Sequence, residues 1–247
     1  MIIIGNGRLI TRNAAEPYYE NGAVVTENEL IKETGTTAEM RLKYPDAEFV
    51  DAKGGVIMPA FINAHTHIYS ALARGLSIAG YNPTNFYEVL DGMWWKIDRS
   101  LTLEDTRRSA YTTIIDCIKT GCTTIFDHHA SFCQIEGSLF AIADAAKALG
   151  IRACLCYEVS ERDGEKKCDE SIEENKSFID HCERENDSML KAMFGGHALF
   201  TIGDKTFEKC VKANGGRTGF HIHVCEGMND VYDSMKNYGC RSGNRLL

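Results

Sequence analysis

The apolar positions of this chain fall into two regimes. Over residues 1 to about 55 they come in short runs, Met1 to Ile4, Gly22 to Thr26 and Glu48 to Ala52, divided by polar and glycine-containing turns, which predicts a small β part. Asn28 to Glu33 predicts the returning arm of a hairpin, and Thr37 to Tyr44 predicts a turn or two of helix before Pro45. From Val56 onward the pattern changes to strand, loop and helix in alternation, the pattern of a parallel α/β sheet. This second regime opens with Val56-Ile-Met-Pro-Ala-Phe-Ile-Asn-Ala-His65-Thr-His67, which predicts one strand covered on both faces, with Asn63, His65 and His67 on the same side because strand side chains repeat every two residues.

An unusually long connection, Ile68 to Leu101, follows that strand and holds Gly75, Gly80, Pro83 and the pair Trp94-Trp95; loops of this length inside a domain are usually functional. A helix then starts at Thr102, where Thr102-Leu-Glu-Asp105 resembles a capping box, and stops at Gly121. Further strands are predicted at Thr123 to Asp127, Ile151 to Glu158, Leu190 to Gly195 and Gly219 to Val224. The helices between them run over Ser138 to Leu149, over Asp169 to Glu185 with Ile172, Ile179 and Cys182 as its buried stripe, and over a segment holding Phe207, Cys210 and Val211. A last helix, Asn229 to Tyr238, is expected to turn Val231, Met235 and Tyr238 inward. The strands recur every 30 to 40 residues or so, the size of successive βα units. Five such units are present.

Composition narrows the class. A chain of 247 residues that is 44% hydrophobic can bury a substantial core as one large domain with an appendage, here 1–55 and 56–247. A net charge of -8 without a Lys/Arg block argues against a nucleic-acid backbone or an anionic membrane as main partner. The opening Met1-Ile-Ile-Ile4 run is too short for a signal-peptide core, so the expected location is the cytoplasm. The 10 cysteines carry no C-x-x-C and read as small apolar residues rather than a disulfide or zinc framework.

What chemistry there is gathers at the carboxyl ends of the strands: His65 and His67, Asp127 to His129, His197, then His221, His223 and Glu226. In a (β/α)8 barrel that end is where active sites are built. A lone H-x-H is weak, but a second pair followed three residues later by Glu226 points to an ion held by imidazoles with a carboxyl nearby. Several assignments stay open at this level. His221 could replace His223 as ligand, His197 could be a structural histidine, at least one of Trp94 and Trp95 could simply pack the loop, and Asp127, His128 and His129 could be supports, with His128 alternating away from the site.

These residues resemble the amidohydrolase superfamily, within it the aminohydrolase and chlorohydrolase branch that includes guanine deaminase-like and SsnA-type aminohydrolases. The resemblance rests on Met58 to His67, Trp94-Trp-Lys-Ile-Asp98, Gly121 to Asp127, Gly196-His197-Ala198 and His221-Ile-His223-Val-Cys-Glu226, and covers essentially all of the chain. It implies a (β/α)8 TIM-barrel type fold, truncated after about five βα units, with a small N-terminal β-sandwich part. It implies His65, His67 and His223 as ligands of one divalent metal ion, zinc first and iron as the alternative, and Glu226 as the proton shuttle between water and a leaving amine. His197, Trp94, Trp95 and His129 are the expected substrate contacts. The implied activity is deamination of an amino-substituted purine, pyrimidine or related ring, a small-molecule heterocyclic substrate; the alternatives are dechlorination or cyclic-amide hydrolysis, or a non-catalytic remnant that binds metal or a partner. A homodimer is compatible with it. A strand-six histidine and a strand-eight aspartate would lie beyond Leu247, so the chain reads as a fragment with little or no turnover of its own. A closed eight-stranded barrel within these residues would overturn that reading.

Overall fold

The computed structural model describes residues 1–246. Its chain divides into two compact units, Met1–Ala60 and Phe61 onward. In the first, β1 (Ile2–Ile10), β2 (Tyr18–Glu27) and β3 (Leu30–Thr36) form an antiparallel meander, α1 (Thr37–Lys43) follows, and β4 (Glu48–Asp51) and β5 (Val56–Ile57) both add parallel to β1. Alternation gathers Ile3, Ala23 and Val25 with Met40 of α1 in one small core. Thr36 caps α1 reciprocally with Glu39, the Glu39 amide donating to Thr36 Oγ1 (3.3 Å) and the Thr36 amide to Glu39 Oε2 (3.2 Å). Among the described residues this sandwich-like part is one five-stranded sheet: β1, irregular around Gly7, carries β4 along Ile2 to Gly5 and β5 along Arg8 and Leu9.

The run read as a single strand from Val56 to His67 is two elements. Val56–Ile57 is β5 of the first unit, and β6 (Phe61–Thr66) opens the second. Between them stands Pro59, which has no N–H to give to a ladder, so one strand cannot run through it.

The long connection after β6 is mostly helical rather than loop. A 3-10 segment covers Ile68–Ala73, then α2 (Phe86–Val89), a π-helical turn (Leu90–Trp94) and α3 (Trp95–Asp98) run together. Ile68, Tyr69, Leu90 and Trp95 are buried, which holds the connection against the sheet. The guanidinium of Arg162, stacked 4.1 Å from the Phe132 ring and 5.1 Å from the Trp95 ring, pairs with Asp98 and anchors the end of α3.

Beyond it come α4 (Leu103–Lys119), β7 (Cys122–His129), α5 (Ser138–Leu149), β8 (Arg152–Tyr157), α6 (Glu165–Glu185), β9 (Leu190–Ala192), β10 (Phe194–Ala198), α7 (Asp204–Asn214), β11 (Phe220–His223) and α8 (Met228–Tyr238). The capping box predicted at Thr102 is present, its amide donating to Asp105 Oδ2 at 3.0 Å. β6, β7, β8 and β9 are parallel neighbours in that order, and β10 pairs in parallel with β11. Because β9 and β10 are consecutive pieces of one segment, five barrel-type strands follow one another, and among the described residues the sheet stays open. The core lies between β7 to β9 and helices α4, α5 and α6, with Ile125, Leu139, Ile142, Leu155 and Phe178 at its centre, while Phe61 and Ile62 of β6 are exposed.

Two helix faces depart from expectation. α8 turns Asp230 and Ser234 inward while Met235 is 55% exposed, because the Asp230 carboxylate accepts from the Cys225 amide (2.6 Å) and fixes the helix rotation at its first turn. On α7, Cys210 is buried but Val211 is 59% exposed.

The break between β9 and β10 is closed by one side chain. Asn175 of α6 accepts from the amides of Tyr157 (2.9 Å) and Gly195 (3.0 Å) and donates to the Tyr157 carbonyl (2.8 Å). The backbones approach so closely there that a Cβ on Gly195 would lie 2.1 Å from the Tyr157 carbonyl oxygen. Asn175→Ala leaves two buried amides without an acceptor; we expect a loss of about 2–5 kcal/mol, read from urea unfolding, and an unchanged midpoint would contradict this role.

Candidate active site

Three imidazoles meet where β6 and β11 end. The Nε2 of His223 lies 3.3 Å from the Nε2 of His65 and 3.2 Å from the Nε2 of His67. Their other ring nitrogens are already committed. His67 Nδ1 donates to the His128 carbonyl (2.7 Å), His223 Nδ1 donates to the His197 carbonyl (2.9 Å), and His65 Nδ1 faces Nε2 of His221 (2.9 Å). A carbonyl only accepts, so each of the first two nitrogens bears the proton, and in a neutral ring Nε2 is then a bare lone pair. Burial holds His223 neutral, its pKa pushed down to about 3, and burial lowers that of His65 as well. Neutral imidazoles whose lone pairs converge cannot satisfy one another, but they suit a cation: with Zn–N bonds near 2.05 Å, tetrahedral ligand nitrogens stand about 3.3 Å apart. His65, His67 and His223 could therefore hold a divalent ion. His221 is directed at His65 rather than at the convergence point.

Beneath these rings lies a buried charge pair that the sequence reading did not single out. His67, His128, Glu158 and His223 carry donor atoms all within 4.8 Å of one another. His128, however, meets only acceptors: Nδ1 donates to Glu158 Oε1 (2.9 Å), and Nε2 is shared between the carbonyls of Gly196 (3.0 Å) and His221 (3.1 Å). Both nitrogens must carry protons, which makes His128 an imidazolium and removes it from the ligand set. Burial opposes its charge, but the Glu158 carboxylate and the carbonyls outweigh it and raise its pKa. Burial likewise opposes the charge of Glu158, and the neighbouring His197 and His128 outweigh it and hold the carboxyl well below its usual range. Of those two, His128 is the real cation at neutral pH, since burial drops His197 to about 4.

Alternation along β7 therefore works opposite to expectation. His128 points to the histidine cluster, its ring centroid 4.5 Å from that of His223. His129, expected to touch substrate, is wholly buried on the other side, where its Nε2 meets Ser131 Oγ (3.0 Å). Asp127 is a support: its Oδ1 accepts from the Ile68 amide (2.6 Å) and fixes the chain just past His67.

A cavity of about 160 Å³ lies beside the convergence point, with His67, His223, His197, Trp94, Glu158 and Glu226 in its wall. Trp94 thus faces the cavity, while Trp95 is packed over Arg162, its ring centroid 6.1 Å from that of His197. The π-helical turn sets this division, since it rotates Trp94 relative to the helix that follows. Glu226 sits at the exposed rim, where the protein wall that keeps water from its carboxyl, and then the negative Glu158, raise its pKa to about 7. Glu158 carried a signal in the sequence as the last residue of a predicted strand, but a single glutamate at a strand end has no partner visible in one dimension.

The fold and this arrangement agree with the relationships of the chain. A sequence profile of the Amidohydrolase family matches residues 56–245, and one described as imidazolonepropionase-like composite domain, bacteria, matches residues 22–47. The chain belongs to the amidohydrolase family. It is 30% identical over 239 residues to a 5'-deoxyadenosine deaminase of Methanosarcina barkeri, covering 96% of this chain and 52% of that protein. Among solved structures it is similar to an adenosine deaminase from Xanthomonas campestris with bound zinc (TM-score 0.79, 21% identity, 99% of this chain and 54% of that one) and to guanine deaminase of E. coli (TM-score 0.77, 16% identity, 97% and 57%). The open sheet is thus part of a TIM-type barrel, and the chain spans about half the length of the relatives it matches.

Removing one member of a buried ion pair strands the other's charge. His128→Ala should cost about 3–5 kcal/mol in urea unfolding, Glu158→Ala a comparable amount, and the double substitution clearly less than the two together; strict additivity would show that the pair is not coupled.

Proposed function

We propose that these residues belong to the active site of a metal-dependent hydrolase that deaminates an amino-substituted heterocycle. One observation carries the reading: the Nε2 atoms of three imidazoles converge beside a cavity that also holds the Glu226 carboxyl. A divalent ion on His65, His67 and His223 would supply Lewis acidity and make water a nucleophile near neutral pH. Zinc is the ion that best suits an all-imidazole set with tetrahedral spacing.

The chain's own groups account for the rest of the chemistry. Trp94 offers a flat apolar wall to a ring, and His197, held by Thr201 Oγ1 at 2.8 Å, is fixed to orient it. A carboxyl whose pKa lies near the working pH can both take and return a proton, and Glu226 is in that range. Glu226 accepts the proton of the attacking water as the new C–O bond forms at the ring carbon, then delivers it to the amino nitrogen as the C–N bond breaks and ammonia leaves. The likeness to a 5'-deoxyadenosine deaminase supports an amino-bearing ring as substrate class.

His65→Ala, His67→Ala and His223→Ala should each weaken zinc binding at least about 100-fold in chelator competition, and Glu226→Gln should keep the zinc yet, in a form of the protein that completes the barrel, lose ammonia release across a panel of amino-heterocycles. Retained zinc affinity in the histidine variants, or turnover by Glu226→Gln, would overturn the assignment.

A further inference from the structure

The cavity wall contains a carboxylate oxygen without a partner. Glu158 is 3% exposed; its Oε1 is taken by His128, while Oε2 accepts no hydrogen bond among the described residues and stands 3.8 Å from Nε2 of His197. That nitrogen does not supply the missing donor. Thr201 Oγ1 gives its own hydrogen to the Ala198 carbonyl (3.0 Å), so it accepts from His197 Nδ1, and the proton of this neutral ring is used there. Glu158 Oε2 and His197 Nε2 are therefore two adjacent acceptors, both in the wall of the cavity with Trp94 and Glu226. The His128 imidazolium behind Glu158 neutralises the charge without covering this oxygen.

A nearly buried carboxylate oxygen left unpaired is costly, so a ligand that fills the cavity must bring a donor to it. We propose that Glu158 is a specificity-determining residue that selects rings with an N–H beside the amino-bearing carbon, as in a 2-amino-oxo heterocycle, over rings whose nitrogens are acceptors only. An acceptor nitrogen in that place would face two further acceptors and lose its water for nothing. This choice of ring rests on the reading of the cavity as a heterocycle site, and it would set the chain apart from relatives that act on adenosine-type rings, in which the ring nitrogen next to the amino-bearing carbon is unprotonated.

The test is calorimetric binding to the zinc-loaded protein of three single rings sized to the cavity: isocytosine, its 3-methyl analogue, which lacks that N–H, and 4-aminopyrimidine, whose ring nitrogens only accept. We expect isocytosine to bind at least about tenfold more tightly than either of the others, in keeping with a charge-assisted hydrogen bond, and Glu158→Gln to erase most of that preference with its zinc content unchanged. Should Glu158→Gln fail to fold, the comparison of isocytosine with its methyl analogue on the unaltered protein decides alone. Equal binding of the three, a preference for 4-aminopyrimidine, or a preference that survives in a folded Glu158→Gln would overturn the role of Glu158 while leaving the heterocycle site standing. Failure of all three rings to bind would remove the heterocycle site itself, and this inference with it.

Discussion

Everything around the site depends on one buried ion pair. The His128 imidazolium is fixed from three directions, by the Glu158 carboxylate just past β8, the Gly196 carbonyl of β10 and the His221 carbonyl of β11, while its own carbonyl holds His67 at the end of β6. One residue of β7, through its side chain and its carbonyl, thus ties together the other barrel-type strands at the point where the ligand-type nitrogens converge. Backbone ladders do this less directly, since the strand pairing is interrupted between β9 and β10 and is bridged there by the Met193 amide to the Leu155 carbonyl, by the contact of Val159 with Gly196 and by Asn175.

A buried charge pair is a poor source of net stability, because desolvation of both partners consumes much of their attraction. What it supplies here is definition. A neutral histidine at position 128 could adopt either tautomer and would leave both carbonyl contacts or the carboxylate unsatisfied; the imidazolium satisfies all of them at once. The consequence reaches the next layer, since the His128 carbonyl dictates which nitrogen of His67 carries the proton, and the His197 carbonyl does the same for His223. For these two histidines the placement of lone pairs is thereby decided by backbone groups, which do not titrate.

The helical connection between β6 and α4 has the complementary task of closing the cavity from the side. Its π-helical turn presents Trp94 to the cavity and Trp95 to the Arg162 stack, so two adjacent and identical residues do different things. Arg162 paired with Asp98 then fixes the far end of the segment. The chemistry and the packing are carried by neighbouring residues of one short element.

By itself the sequence determined the alternation of strands and helices, the capping box at Thr102 and the position of His65, His67 and His223 at strand ends with Glu226 three residues beyond, because each of these is written in local spacing. Pro59 already marks the place where Val56 to His67 divides, but the sequence could not show which way β7 turns its histidine pair, because a strand of alternating residues has two faces and only the sheet decides which one is the interior. His128 and His129 were exchanged in role for that reason, whereas on α8 Met235 faces outward because the bond from the Cys225 amide to Asp230 sets the rotation of the helix. Glu158 became visible only in three dimensions: its significance lies in His128, thirty residues away in the chain and 2.9 Å away in space. Proton positions, and with them the difference between a histidine that can hold an ion and one that cannot, were decided by tertiary hydrogen bonds alone.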